Sequence, residues 1–330
     1  MKAESAGGPA RPPHNRLGLD YRYPPPRRVA GPILDIHAHV HAGPCARAFF
    51  EAADAYGVAR VVSMSPLKDL DELRREFGPR LDFIAIPDWK KQRATEEFRA
   101  SWIADLSAFR AAGARLCKFW MAPLMRKEHG LTVDHAFLSP VVRHALALGF
   151  DFMIHVADPS VWWRPGGKYA QDARVGAKRN QYRQLEWLLR TARPRFVIAA
   201  HMGGSIEDLP WLQELLDRHD NLLLDTSATK WIVREAAPQP DAVREFMIRN
   251  QARVLFGSDL VARPGLDDFD HYASRYWAHQ TLWETAYRGE SPIDDPDAPG
   301  APQLAGVDLP DETLRAIYRE NARRLGFAIA

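Results

Sequence analysis

Six polar residues stand where otherwise apolar segments run or end. The segment Ile33-Leu-Asp-Ile-His-Ala-His-Val40 is apolar apart from Asp35, His37 and His39. In an extended strand alternate side chains share a face, so these three are expected to point the same way. Two neighbouring imidazoles on an inward face are costly unless they are hydrogen-bonded or bound to a metal. A neutral imidazole is a good ligand for Zn²⁺ and related ions. Three further segments end in the same manner: Phe152-Met-Ile-His155, Val197-Ile-Ala-Ala-His201 and Leu255-Phe-Gly-Ser-Asp259. Four histidines and one aspartate placed like this say far more than any one of them alone.

The segments that carry them alternate with helical stretches. The β-rich runs are Ile33–Val40, Val58–Ser63, Leu81–Ile86, Ala114–Trp120, Phe150–Val156, Arg195–Met202, Asn221–Asp225 and Arg253–Asp259. They are short, apolar and nearly free of Gly and Pro, as buried parallel strands are. Helical spacing joins Tyr182, Leu185 and Leu189, then Leu209, Leu212 and Leu216. A final helix reads Leu314, Ile317, Tyr318, Leu325, with Gly326 placed to end it. Eight such units predict a (β/α)8 TIM barrel, whose chemistry sits at the C-terminal strand ends. A doubly wound open sheet is the alternative, and no GxGxxG follows the first strand to support it.

Two stretches depart from this rhythm. Residues 1–30 are rich in Pro and Arg, which predicts a flexible or strapping N-terminal tail ahead of a domain at 31–330. The connection at 260–310 is far longer than an ordinary loop, so it is expected to be a lid or an oligomer contact. Its Tyr272, Tyr276, Trp277 and Trp283 could cap a pocket or form an interface.

Composition excludes several classes. The 330 residues carry 44 Lys plus Arg against 42 Asp plus Glu, a net charge of +2, which argues against a nucleic-acid partner. No apolar run is long enough to span a bilayer, so no membrane partner is expected. Two cysteines, Cys45 and Cys117, exclude a disulfide scaffold or a cysteine-based zinc module. They fit a reducing compartment, and the cytoplasm is the expected location. A homodimer is left open.

The pieces Asp35-Ile-His-Ala-His39, His155, Ala200-His-Met-Gly-Gly204, Leu255-Phe-Gly-Ser-Asp259 and Ile317-Tyr-Arg-Glu-Asn-Ala-Arg-Arg-Leu325 together resemble the amidohydrolase superfamily. They are most similar to its amidohydrolase-related, aminocarboxymuconate-semialdehyde decarboxylase-like branch, over residues 31–330. The resemblance implies one divalent metal ion held by His37, His39, His155 and Asp259. Zn²⁺ is the first choice, and Mn²⁺ or Fe²⁺ are alternatives. It implies His201 as the catalytic histidine, with Asp259 able to take a proton as well as bind metal. The expected reaction is hydrolysis, with metal-activated water attacking an ester, lactone or amide of a small carboxylate-bearing substrate. The alternative is a metal-dependent, non-oxidative decarboxylase of an aromatic or unsaturated acid. Related binuclear enzymes carboxylate a lysine on the fourth strand. Lys118 occupies that strand, but an ammonium that contacts substrate or Asp259 is preferred here.

Residues after the strands are expected to shape the pocket. Arg47, Lys118, Trp120, Trp163, Arg164, Lys230 and Trp231 suit a planar, anionic small molecule. A TatD-like nuclease is disfavoured because Lys118 stands where an acidic residue is expected and the charge is near neutral. A non-catalytic barrel that keeps a structural metal is the remaining alternative.

Overall fold

The computed structural model describes residues 11–88, 91, 94–298 and 300–327. The first half of the chain runs β1 (Ile33–Val40), α1 (Pro44–Ala55), β2 (Val58–Ser63), α2 (Leu70–Phe77), β3 (Leu81–Ala85), α3 (Glu96–Ala111), β4 (Leu116–Trp120), α4 (Pro123–His129), α5 (Ser139–Ala147) and β5 (Asp151–His155). It continues through α6 (Tyr182–Ala192), β6 (Val197–Ala199), α7 (Leu209–Arg218), β7 (Leu222–Asp225), α8 (Thr229–Ala236), α9 (Pro240–Arg249), β8 (Val254–Leu255) and β9 (Leu260–Ala262). Last come α10 (Phe269–Glu284), β10 (Arg288–Glu290), β11 (Gln303–Ala305) and a closing helix. That helix passes from α11 (Asp311–Arg315) through a π turn (Ala316–Glu320) into α12 (Asn321–Arg324).

The main sheet is parallel throughout, in the order β8-β7-β6-β5-β4-β3-β2-β1-β9. β8 lies inside the eighth run and β9 follows just beyond its end, so the ends of this order meet. Leu255 accepts from Thr226 N–H at 3.0 Å on the β7 side. One residue later, Phe256 accepts from Ile36 N–H at 2.9 Å on the β1 side, and Asp259 N–H donates to His37 at 2.7 Å. The result is the expected TIM barrel, its strands buried and rich in Val, Ile and Leu. The closing helix pins the seam. Asn321 Nδ2 donates to Val254, and the Ile317 carbonyl accepts from Phe256 N–H at 3.0 Å instead of serving its own helix.

Strands β1 and β2 have the bounds read from the sequence, and the rest are trimmed at their ends. The eighth run differs most. Its second half, Phe256–Asp259, leaves regular strand geometry, and the strand resumes beyond it as β9. The 260–310 stretch is no open loop. It contains β9, the 16-residue helix α10 and the β10–β11 hairpin. Tyr272, Tyr276 and Trp283 are buried in α10 rather than capping a pocket, and Tyr272 and Tyr276 pack against Phe49 of α1.

Residues 11–30 form neither helix nor strand, as their prolines predict, yet they are strapped down. Tyr21 and Val29 are buried. The strap accepts from Gln280 at the Pro25 carbonyl (2.9 Å), and Arg28 N–H donates to Glu284 (2.6 Å). Residues 1–10 lie outside the described residues.

Candidate active site

The C-terminal strand ends bring His37, His39, Lys118, Trp120, His155, His201, Trp231 and Asp259 together around one cavity of about 370 Å³. Met64 and Val261 complete its lining. His37 lies at its floor and is 1% exposed, so every polar atom of the ring needs a partner. Its Nδ1 is 2.8 Å from Asp225 Oδ2, and its Nε2 is 3.2 Å from Asp259 Oδ1. His39 Nε2 lies 3.1 Å from the same Asp259 oxygen. The Lys118 ammonium is 3.4 Å from His37 Nε2.

Two residues of this set are held in left-handed backbone geometry, His201 at φ 60° and Asp259 at φ 59°. Such conformations cost energy for residues other than glycine and persist only when their surroundings fix them. The fixing contacts are present. Asp225 Oδ1 accepts the His201 N–H at 2.8 Å, and His37 accepts the Asp259 N–H. His201 Nδ1 meets Ser227 Oγ at 2.7 Å, which leaves Nε2 as its other ring nitrogen. Ser227 Oγ also donates to Asp225. Gly257 is required beside them, because a Cβ there would come within 2.9 Å of His37 Cβ.

The donors suit a divalent cation. His37, His39 and Asp259 each offer a ligand atom within 4.8 Å of the others, and so do His37, His201 and Asp225. The buried carboxylate behind His37 Nδ1 stands where the outer partner of a ligating imidazole stands in metal sites. His155 is not in either group. It stands beside His201, with ring centroids 4.7 Å apart, and its Nε2 is 2.7 Å from Asp158 Oδ1. Tyr169 donates to the other Asp158 oxygen at 2.6 Å. His155 is thus backed by a carboxylate and keeps Nδ1 for another partner.

Electrostatics separate the roles. Burial pushes the His201 imidazole well below its usual range, and the opposing pull of Asp259 does not restore it. Burial raises Asp259, but the charges of His37 and His201 and the bonds from His37 and His39 outweigh it, so the carboxylate is held well below its usual value. Burial lowers Lys118 to about 8 against the pull of Asp225 and Asp259.

Other residues expected at the site lie elsewhere. Asp35 does not share a face with His37 and His39. A register irregularity between Asp35 and Ala38 breaks the alternation. Its carboxylate instead meets Ser258 Oγ (2.5 Å) and Tyr276 of α10 (3.2 Å). Arg47 lies on α1, exposed, and pairs with Glu76 at 3.1 Å. Trp163 donates to the Gly176 carbonyl, and Arg164 is exposed. The short turn Ser160–Trp163 presents Trp162 instead, which packs edge-on against Trp231 at 5.3 Å. Lys230 lines a neighbouring chamber.

Asp225, Ser227 and Asp158 were not singled out in the sequence. Asp225 could have been, since it ends the apolar run Leu222-Leu-Leu-Asp225 as Asp259 ends its own. Nothing in the sequence marks Ser227 or Asp158.

Comparison with known proteins agrees with the barrel. The amidohydrolase family model matches residues 17–325. No curated protein matches the chain. Among solved structures, it is similar to a protein described as a probable 2-pyrone-4,6-dicarboxylic acid hydrolase from Acinetobacter baumannii with citric acid bound. That likeness has 13% identity and a TM-score of 0.54, and covers 91% of this chain and 100% of the other. It is also similar to 2,6-dihydroxybenzoate decarboxylase complexed with 2,6-dihydroxybenzoate, at 12% identity and a TM-score of 0.54, covering 90% and 98%. A TIM-barrel protein from Bordetella bronchiseptica has 15% identity and a TM-score of 0.53, covering 89% and 98%. At such identities these structures speak for the shared barrel, and the family match speaks for descent. The chain belongs to the amidohydrolase family of enzymes.

Proposed function

We propose that this protein is a metal-dependent hydrolase of a small, carboxylate-bearing ester, lactone or amide. The observation that carries the reading is the convergence of His37, His39 and Asp259 on one spot at the cavity floor, beside His201. Two imidazoles and a carboxylate suit Zn²⁺ first, with Mn²⁺ and Fe²⁺ as alternatives, and His155 Nδ1 is the further ligand the family pattern supplies. When bound, a divalent cation lowers the pKa of water toward about 7 and polarises a substrate oxygen.

The chain's own residues do the rest. Asp225 holds His37 in one tautomer through Nδ1. Ser227 orients His201 so that Nε2 can accept a proton and return it to the leaving group. A neutral resting imidazole fits the accepting role. Trp120 and Trp231 form walls that bind an apolar body and exclude water. Lys118 lies where its ammonium can meet a substrate oxygen.

A carboxy-lyase acting on an aromatic acid is the second reading. The two tryptophan walls favour it, since they suit a planar ring.

The test begins with elemental metal content after metal-free purification and reconstitution. About one ion per chain is expected, and its loss is expected in His37→Ala. His201→Asn should keep the ion and lower kcat by roughly 10²–10⁴-fold. A chain that binds no metal under any condition overturns the reading. Carbon dioxide among the products, in place of acyl cleavage, selects the carboxy-lyase.

A further inference from the structure

A second chamber of about 290 Å³ opens on the other side of Asp259. It shares Trp231, Asp259 and Val261 with the cavity described above, so the two adjoin. Its own lining comes from the start of α8 and one side of α10, and includes Lys230, His271 and Arg275. None of these three cations or potential cations has a carboxylate to itself. Lys230 is half-buried, with no hydrogen bond or ion pair among the described residues. Arg275 spends Nη1 on the His271 carbonyl (2.7 Å) and Ser274 Oγ (3.0 Å). Its Nε and Nη2 edge has no partner among the described residues. Most of the neighbouring acids are engaged elsewhere, and Asp294, whose charge also acts on Lys230, forms no ion pair with it among the described residues. Asp259 is held by His37 and His39, Asp295 pairs with Arg234, and Asp268 pairs with His14 at 3.3 Å.

Half-buried positive charges without counter-ions raise the energy of a folded protein. Burial lowers Arg275 to about 10, and burial together with Arg275 lowers Lys230. An anion entering the chamber would relieve both. The free guanidinium edge matches a carboxylate in a two-bond fork, and the ammonium adds a point charge.

We propose that this chamber is a carboxylate subsite, in which Arg275 and Lys230 receive a carboxylate remote from the bond that reacts beside Asp259. The proposal rests on the hydrolase reading for its reacting centre and names the part of the substrate that the chamber selects. Arg275 then sets specificity from a helix inserted after the eighth strand, separate from the residues that hold the metal.

The experiment measures binding of two probes, isophthalate and benzoate, to the full chain by calorimetry, both metal-free and reconstituted with zinc. The wild type should bind isophthalate at least about tenfold more tightly than benzoate, because a site built around charges rejects the analogue that leaves them unpaired. Arg275→Met should bring the two affinities within about twofold by weakening isophthalate alone. Arg275→Lys should fall between. Circular dichroism checks the fold of each variant. If Arg275→Met does not fold, Lys230→Met carries the test, with the ratio expected to drop about threefold or more. A wild type without preference, or folded variants that keep it, overturns the subsite. The metal-free arm separates the two ideas. A ratio that depends on Arg275 in a chain that never binds metal sustains the subsite and removes the hydrolase reading.

Discussion

At the scale of single residues, the site is organised by a carboxylate hidden from solvent. Asp225 is fully buried at the end of β7 and serves both sides of the site. One oxygen faces His37 Nδ1, and the other accepts the His201 N–H that fixes a strained backbone. Burial alone would raise its pKa, yet the charge of His37 and its hydrogen bond hold the carboxyl below its usual value. Asp225 is therefore ionised at neutral pH and pulls a His37 proton to Nδ1, which leaves Nε2 for the proposed metal. Asp225→Asn keeps the shape and removes the charge. It should weaken metal affinity by about 10–100-fold, as changes to the outer partner of a ligating histidine do. Competition against a chromophoric chelator reads this directly. An affinity within twofold of wild type would show that His37 needs no such partner.

At the scale of elements, the barrel was readable and the helix that flanks its site was not. Strands announce themselves because parallel strands buried on both faces are continuous apolar runs. His37, His39, His155, His201 and Asp259 stood out against those runs. Helix α10, Phe269–Glu284, left no such trace. It is buried on nearly every side, so it has no apolar stripe, and its His, Arg and Gln residues blur what remains. Asp35 was misplaced for a different reason, since a local register irregularity in β1 cannot be seen in a pattern of alternation. These two errors meet in one contact, Tyr276 of α10 with Asp35 of β1. Burial pushes Asp35 up to about 6, even though Ser258 and the His37 N–H stabilise its charge. An unfolded aspartate titrates near 3.9. Between about pH 4 and pH 6 the folded state thus holds more protons than the unfolded state, and this group's contribution to stability falls as pH rises. Tyr276→Phe removes one donor to the carboxylate. It should cost about 1.5–3 kcal/mol at pH 7, where Asp35 is ionised, and less at pH 4.5. Denaturant unfolding of both proteins at the two pH values checks the difference. An equal cost at both would place the phenol's role in packing alone.

At the scale of the whole molecule, the proposed metal site and the proposed carboxylate subsite belong to different parts of the fold. The proposed metal ligands lie on barrel strands or just beyond their ends, positions fixed by the parallel ladder and the seam at Asn321. The cations of the second chamber project from α8 and α10. Helix α10 is held from outside by the strap at residues 11–30. Tyr21 is 1% exposed and its hydroxyl donates to the His14 carbonyl. Arg22 lies over the Phe269 ring at 4.3 Å, Pro25 accepts from Gln280, and Arg28 reaches Glu284 and Asp311. The strap therefore grips both ends of α10 while touching none of the proposed metal ligands. Truncating its buried aromatic should separate the two functions. Tyr21→Ala leaves a cavity under the strap and should cost about 3–5 kcal/mol, read as a lower unfolding midpoint. Metal content per chain should stay at the wild-type value, because no ligand rests on the strap. The preference for isophthalate over benzoate should fall, because α10 carries Arg275 and loses its outer clamp. A variant that loses metal together with stability would mean that barrel and strap unfold as one unit, and the division of labour would fail.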